Sequence, residues 1–142
     1  MPRILIVDDS RYQRNLVEKA LHDVGPCEQA DNGAMAVRLF QEALHRGESY
    51  DLVVMDILMP VMDGHRALSW IRRMEQQAGV SRPVKVIMLS SLDDPHNMIK
   101  AQFEEGAGVY LTKPFHPEDM QEALRAMELV DNPLDDTPCE NL

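Results

Sequence analysis

The chain has 142 residues, of which 24 are acidic and 14 are basic, and its formal net charge is -10. The length favours a single domain, and the acidic excess disfavours direct binding to nucleic acid, because phosphate contacts are made by Lys and Arg. No apolar run approaches the roughly 18 residues of a membrane span, and no basic and apolar leader opens the chain, so we expect a cytoplasmic protein without membrane insertion.

Five apolar runs of strand length alternate with five segments whose apolar residues recur at helical spacing. In chain order, these patterns predict strands and helices in strict alternation: a strand over residues 3–7, a helix up to 24, a strand over 27–30, a helix over 34–45, a strand over 52–55, a helix from 65 to about 77, a strand over 84–89, a helix from 95 to about 105, a strand over 108–111 and a helix over 117–130. This alternation predicts a parallel sheet covered by helices on both faces.

Capping and breaking residues support several of these boundaries. Ser10 can cap the first helix, Gly25-Pro26 stops it, and Pro117 opens the last one. Trp70 in the third helix is expected to pack rather than to serve as a ligand platform. The final segment, 131–142, has two prolines and four acidic residues without periodicity. We therefore predict a domain over residues 1–130 and a disordered acidic tail or truncated linker over 131–142.

The stretch 51–64 reads DLVVMDILMPVMDG and contains the first candidate for a functional residue. Its apolar strand ends abruptly on Asp56, and Pro60 and Asp63-Gly64 break the backbone before a helical pattern resumes. In open parallel sheets, sites are built outside the carboxyl ends of the strands. Taken alone, Asp56 is explained about equally well as an ordinary turn residue. Polar residues at the ends of neighbouring strands favour the interpretation that Asp56 belongs to a functional site.

The other strands deliver polar side chains to the same edge of the sheet. The first ends in Asp8 and Asp9, the fourth in Ser90, and the fifth just before Lys113. Three crowded carboxylates raise one another's pKa unless a cation is present. Oxygen ligands without His or Cys, in a set that leaves room for waters and a phosphate, suit Mg2+ better than Ca2+. Ser90 can donate to a phosphoryl oxygen and Lys113 can neutralise one, so the edge is predicted to hold a phosphoryl group.

Four motifs occur in order at these strand ends: VDDS at 7–10, MDILMPVMDG at 55–64, MLSS at 88–91 and YLTKPF at 110–115. Each is weak alone, but in this order and at these intervals they resemble the receiver domain of two-component response regulators, the CheY-like family, over residues 3–130. The resemblance implies an α/β fold of the flavodoxin or CheY type, with a five-stranded parallel sheet of order 2-1-3-4-5 flanked by five helices.

The same resemblance implies roles for individual residues. The catalytic residues that it implies are Asp56, Ser90 and Lys113, with Asp56 as the phosphorylation site. The ligands that it implies for Mg2+ are Asp8, Asp9, Asp56 and the backbone carbonyl of Leu58. The switch residues that it implies are Ser90 and Tyr110. It also points to a cis bond between Lys113 and Pro114, as tight turns sometimes require.

Three positions depart from the family pattern. Ser90 stands where Thr is commoner, which keeps the hydroxyl but removes a methyl group that limits the rotamers. Leu58 and Leu92 stand where family members often carry polar groups beside the phosphorylation site. Because leucine side chains cannot orient an attacking water by hydrogen bonds, we expect the phosphorylated form to persist.

Three classes of function are compatible with these residues. The first is a phosphorylation-controlled signalling receiver that accepts a phosphoryl group on Asp56 with Mg2+ and switches a protein-binding face, catalysing only its own phosphorylation and dephosphorylation. The second is an Mg2+-dependent phosphotransferase or phosphatase acting on small molecules, which is disfavoured because Leu58 replaces a second acid and no substrate-cap segment is evident. The third is a receiver-like interaction domain without phosphorylation, which is disfavoured because such a domain would be expected to have lost Asp56 or Lys113, and both residues are present.

The expected partners follow from the first reading. A histidine kinase or phosphotransfer protein would supply the phosphoryl group, and a downstream protein target or output domain would receive the signal. No DNA-binding or catalytic output domain fits within the 142 residues. We therefore expect either a stand-alone receiver or a fragment that ends in an interdomain linker.

Overall fold

A sheet of five parallel strands forms the centre of the computed structural model, which describes residues 1–91 and 108–129. The strands are β1 (Ile4–Val7), β2 (Cys27–Ala30), β3 (Leu52–Asp56), β4 (Lys85–Ser91) and β5 (Val109–Lys113). They lie in the order β2-β1-β3-β4-β5. The predicted order 2-1-3-4-5 is confirmed.

Four helices connect or follow these strands among the described residues. They are α1 (Arg11–Leu21), α2 (Gly33–Arg46), α3 (Gly64–Ala78) and α4 (Pro117–Ala126). The helix predicted over 95–105 and the tail predicted over 131–142 lie outside the described residues. None of the described helices combines the length and the apolar character that crossing a membrane requires.

Helices pack on both faces of the sheet, and the sheet separates the buried side chains into two clusters. One cluster joins side chains of β1 and β3 to α2 and α3, with Phe40 and Leu68 among its buried residues. The other joins the opposite faces of these strands to α1 and α4, with Leu21 and Leu124 buried. Because both faces are covered, β1 and β3 are buried along their whole length, which explains their continuous apolar sequence.

The strand register places the polar residues of the predicted site at the same height, at the carboxyl edge of the sheet. Val7 pairs with Met55, and Met55 pairs with Met88, which in turn pairs with Tyr110. This row crosses β1, β3, β4 and β5. Asp8 follows directly after Val7, the last residue of β1, and Asp56 follows Met55 as the last residue of β3. The two carboxylates therefore meet at the carboxyl edge, as the sequence predicts.

Side-chain caps fix the starts of α1, α2 and α3 above this edge. Ser10 accepts from the backbone N–H of Gln13 at 3.3 Å, Asn32 caps α2 with a hydrogen bond of 2.8 Å, and Asp63 caps α3 with one of 2.9 Å. Such caps typically contribute about 1 kcal/mol each. The loops that carry the site are thus held at their helical ends.

Four boundaries differ from the prediction by two residues or more. Helix α1 ends at Leu21 rather than at 24, and β4 continues to Ser91 rather than ending at 89. Strand β5 extends to Lys113 rather than ending at residue 111, because Ser90 pairs with Thr112 and Ser91 pairs with Lys113. The ladder therefore continues beyond the apolar run. Helix α4 ends at Ala126 rather than at 130, and Glu128 takes a left-handed conformation with φ of 62°.

Candidate functional site

The carboxylates of Asp8, Asp9 and Asp56 meet at the carboxyl edge of β1 and β3, and we call these three residues the acid pocket. One oxygen from each lies within 4.8 Å of the others. Asp8 and Asp56 are buried, with 1% and 7% of their surface exposed, whereas Asp9 is exposed. The pocket therefore has a buried floor and one side that is open to solvent.

The ammonium group of Lys113 enters the acid pocket from the end of β5. Its Nζ lies 2.8 Å from Oδ2 of Asp8 and 3.3 Å from Oδ2 of Asp56. The peptide bond from Lys113 to Pro114 is cis, as expected. These contacts place the ammonium group of Lys113 in the acid pocket.

The charges of the pocket are only partly balanced. Burial raises the pKa of Asp56 to about 6; the charge of Lys113 opposes this shift, and the carboxylates of Asp8 and Asp9 add to it. Burial by itself lowers the pKa of Lys113, but the hydrogen bond to Asp8 and the charges of Asp56 and Asp8 outweigh it, so that pKa is raised. Among the described residues, three carboxylates share one ammonium group, so a further positive charge would be favourable in the pocket.

The donor set fits a hard divalent ion. All three side chains offer oxygen atoms, the ligands that such ions prefer, and their spacing is compatible with binding to a common ion. The acid pocket could therefore hold a metal ion. Leu58, whose backbone carbonyl is the fourth expected ligand, lies in the loop between β3 and α3, and its side chain is 58% exposed.

Backbone hydrogen bonds hold the loop after Asp56 against its neighbours. Ile57 donates to the carbonyl of Leu89 at 3.1 Å, and Gly64 donates to the carbonyl of Ile57 at 2.8 Å. A Cβ atom added at Gly64 would lie 2.5 Å from the carbonyl oxygen of Asp56, so a larger residue there would displace the backbone of Asp56. The close approach of α3 to the end of β3 requires glycine at this position.

Ser90 and Tyr110 lie on adjacent strands beside the pocket. Ser90 is buried, with 2% exposed, near the end of β4. Tyr110 on β5 is half-buried and packs against the core cluster on the side of α2 and α3. It pairs with Met88, and because side chains alternate along a strand, Ser90 shares the face of Met88 and Tyr110. The two predicted switch residues are thus on one face of the sheet.

Arg14 supports the pocket but was not among the predicted site residues. Its Nη1 donates to the backbone carbonyl of Asp8 at 2.7 Å, and its Nε donates to Oε1 of Gln29 at 2.9 Å. The backbone N–H of Ser10 donates to Oδ1 of Asp8 at 2.9 Å. These contacts hold both the main chain and the carboxylate of Asp8. No sequence pattern distinguishes Arg14 from a solvated arginine on an amphipathic helix.

Comparison with known proteins identifies the family. The family model described as the response regulator receiver domain matches residues 4–125. This chain belongs to the response regulator receiver domain family. The receiver is 35% identical over 123 residues to the chemotaxis protein CheY of Halobacterium salinarum, covering 86% of this chain and 92% of that protein. It is 37% identical over 124 residues to the chemotaxis protein CheY of Bacillus subtilis, covering 86% and 93%.

Solved structures agree with this assignment. The receiver matches a mutant of the receiver domain of the histidine kinase CKI1 from Arabidopsis thaliana with a TM-score of 0.78 at 29% identity, covering 89% of each chain. It also matches the co-crystal structure of the Saccharomyces cerevisiae phosphotransfer protein Ypd1 and the receiver domain of Ssk1, with a TM-score of 0.77 at 25% identity, covering 92% of this chain and 93% of that chain. The chain is therefore a receiver of two-component signalling, and the alternative of a small-molecule phosphotransferase is not supported.

Proposed function

We propose that Asp56 of this receiver accepts a phosphoryl group from a phosphohistidine on a histidine kinase or a phosphotransfer protein. The observation that carries the proposal is the position of Asp56 in the acid pocket beside Lys113, whose Nζ lies 3.3 Å from its Oδ2. Among the described residues, Asp56 is the acid pocket member at the end of the central strand β3. The match to a complex of a phosphotransfer protein and a receiver domain supports this class of donor.

In the proposed transfer, a carboxylate oxygen of Asp56 forms a bond to phosphorus, and the bond from phosphorus to the donor imidazole breaks. The leaving nitrogen keeps the electron pair. Asp56 must be ionised to attack, and a pKa of about 6 leaves it mostly ionised at neutral pH. Lys113 neutralises a phosphoryl oxygen, and Ser90 donates a hydrogen bond to another.

We propose that Asp8, Asp9, Asp56 and the backbone carbonyl of Leu58 hold Mg2+. The support is the oxygen-only donor set and the excess of carboxylates over ammonium groups in the described pocket. Mg2+ bound there would neutralise charge on the phosphoryl oxygens during transfer. Lys113 and the ion would thus share the neutralisation of the incoming group.

The output is proposed to be a change in a protein-binding face. A phosphoryl group adds roughly -1.5 to -2 charge and three acceptor oxygens, which draw Ser90 inward and give Tyr110 space to move. Among the described residues the face comprises β5 and α4, and it would bind a downstream target or output domain. The predicted helix over 95–105, which the proposal also includes, lies outside the described residues. The domain, proposed to span residues 1–130, would act in the cytoplasm and catalyse only its own phosphorylation and dephosphorylation.

The test is intact-protein mass spectrometry after incubation with acetyl phosphate and Mg2+. The unmodified chain should gain one phosphoryl group, and Asp56→Asn should gain none. Asp63→Asn is the matched control, because it makes the same change in the same loop and asparagine also caps helices. An undiminished adduct in Asp56→Asn would refute the assignment of the acceptor.

A further inference from the structure

The exposed face of α3 carries an aromatic ring between two guanidinium groups. Arg66, Trp70 and Arg73 are all exposed and follow one another at spacings of four and three residues, which places them side by side on a helix. Together with Ser69 they line a shallow cavity of about 260 Å3. We call these four residues the α3 basic surface. None of them belongs to the acid pocket.

Trp70 is a large apolar side chain that belongs to neither of the two core clusters of described residues. The sequence predicts a packing residue, yet Trp70 remains 40% exposed because Leu68 and Ile71 take the buried positions of this turn. The guanidinium of Arg73 lies over its ring, 5.1 Å from the ring centre, in a cation–π arrangement. A stacked guanidinium keeps its in-plane N–H donors for a further partner.

The acidic residues at the start of α3 and within it bind groups other than the guanidinium groups of this surface. Asp63 accepts a hydrogen bond from the backbone N–H of Arg66 at 2.9 Å. The acidic residue within α3, Glu75, is buried and binds Arg72 and the backbone N–H of Val84. Within residues 1–91 and 108–129, neither Arg66 nor Arg73 forms an ion pair. A chain with a net charge of -10 therefore presents a local positive surface with an aromatic centre.

We propose that the α3 basic surface binds an acidic peptide segment of a partner protein. Charge complementarity selects this occupant: carboxylates pair with Arg66 and Arg73, and an apolar residue between them packs on Trp70. Nucleic acid is disfavoured, since the net charge of the chain repels a phosphate backbone. The contact is separate from the phosphorylation chemistry and does not depend on Asp56.

The spacing of the arginines specifies the ligand further. Arg66 and Arg73 are seven residues apart, which is about 10 Å along a helix at 1.5 Å per residue. An extended peptide advances about 3.3 Å per residue. Two carboxylates three residues apart in an extended segment therefore match the two arginines, with the intervening residues over Trp70.

Trp70 itself provides the measurement, because it is the only tryptophan in the chain. The probe is the peptide acetyl-Gly-Glu-Pro-Leu-Glu-Gly-amide, titrated into the full chain at low salt while tryptophan emission is recorded, with calorimetry as a second readout. The control peptide has Gln in place of both Glu residues. We expect saturable binding of the Glu peptide, at least fivefold weaker binding of the Gln peptide, and loss of affinity at high salt as the charges are screened.

Variants separate this surface from general charge effects. Arg66→Gln and Arg73→Gln should each weaken binding about three- to fivefold, as expected for one exposed ion pair. Arg38→Gln removes an exposed arginine from α2 and should leave binding unchanged. Equal affinity for both peptides, or equal losses in all three variants, would overturn the proposal.

Discussion

The ammonium of Lys113 donates to the carboxylate of Asp8 at 2.8 Å, although the two residues are 105 positions apart in sequence. This contact joins the end of β5 to the end of β1 across the cleft that holds Asp56. Its partners are buried to different degrees, since the side chain of Lys113 is 20% exposed and that of Asp8 only 2%. Removing the ammonium would leave the buried carboxylate without its counter-charge.

Lys113→Met should therefore destabilise the chain at pH 7 by about 3 kcal/mol, because an uncompensated buried charge remains. It should also raise the pKa of Asp56 above about 6, since the charge of Lys113 is the main influence that lowers it. Urea unfolding and carboxyl NMR titration measure the two effects. Lys19→Met, at an exposed lysine of α1, is the control. Equal stability of the two variants would contradict the structural role of the Lys113 contact.

The buried carboxylate of Asp56 should make stability depend on pH in the absence of metal. Burial raises its pKa from the ordinary 3.8 to about 6, so between these values the folded state keeps a proton that the unfolded state has lost. The free energy of unfolding therefore falls as pH rises from about 4 to about 6 and stays lower above that range. At roughly 1.4 kcal/mol per pKa unit, the total is at most about 3 kcal/mol.

Asp56→Asn removes this cost and should be more stable than the unmodified chain at pH 7.5, in urea unfolding with a chelator present. The difference should shrink towards zero as the pH falls below the ordinary pKa of 3.8, where the carboxyl is protonated in both states. A variant that is less stable at pH 7.5 than the unmodified chain would show that the hydrogen bonds of Asp56 outweigh its desolvation.

Asp9 should contribute to Mg2+ affinity more than to stability, because it is the exposed member of the acid pocket. Asp9→Ala removes a charged oxygen ligand from a hard ion and should weaken Mg2+ binding about tenfold, as measured by calorimetric titration. Asp23→Ala, which removes an exposed carboxylate away from the pocket, should bind Mg2+ unchanged. If the two variants bound alike, Asp9 would not be a ligand.

The lifetime of the phosphorylated form should depend on Leu58, which is 58% exposed in the loop after Asp56. An asparagine there could orient a water for in-line attack, which the leucine cannot do. Leu58→Asn should accelerate loss of the phosphoryl group by roughly tenfold if the barrier falls by about 1.4 kcal/mol. The decay of phosphorylated protein in Mg2+ after donor removal measures this, with Val61→Ala as an exposed control in the same loop. Slower decay in Leu58→Asn would contradict the argument that a leucine at this position slows hydrolysis of the phosphoryl group. Leu92, the second leucine of that argument, lies outside the described residues.

Local signals in the sequence predict the alternation of strands and helices and the pocket, whereas the strand order is predicted by the resemblance to the receiver family. Apolar runs that end on Asp8 and Asp56, together with regular alternation, determine which residues reach the carboxyl edge. The contacts of Arg14 could not be predicted, since they depend on how α1 packs against β2. The pKa of Asp56 depends on burial in the assembled fold, and the exposure of Trp70 depends on the rotation of α3, neither of which a periodic pattern specifies.

The strand order also constrains when the receiver can first function during synthesis. Chains emerge from the ribosome N-terminus first, so both acidic strand ends exist long before β5, which pairs only with β4 at the border of the sheet. A nascent chain that has not yet docked β5 lacks the ammonium group for its carboxylates. If Lys113 acts as proposed, the chain becomes competent for phosphorylation only after β5 has docked, and a shorter nascent chain would not react with its donor.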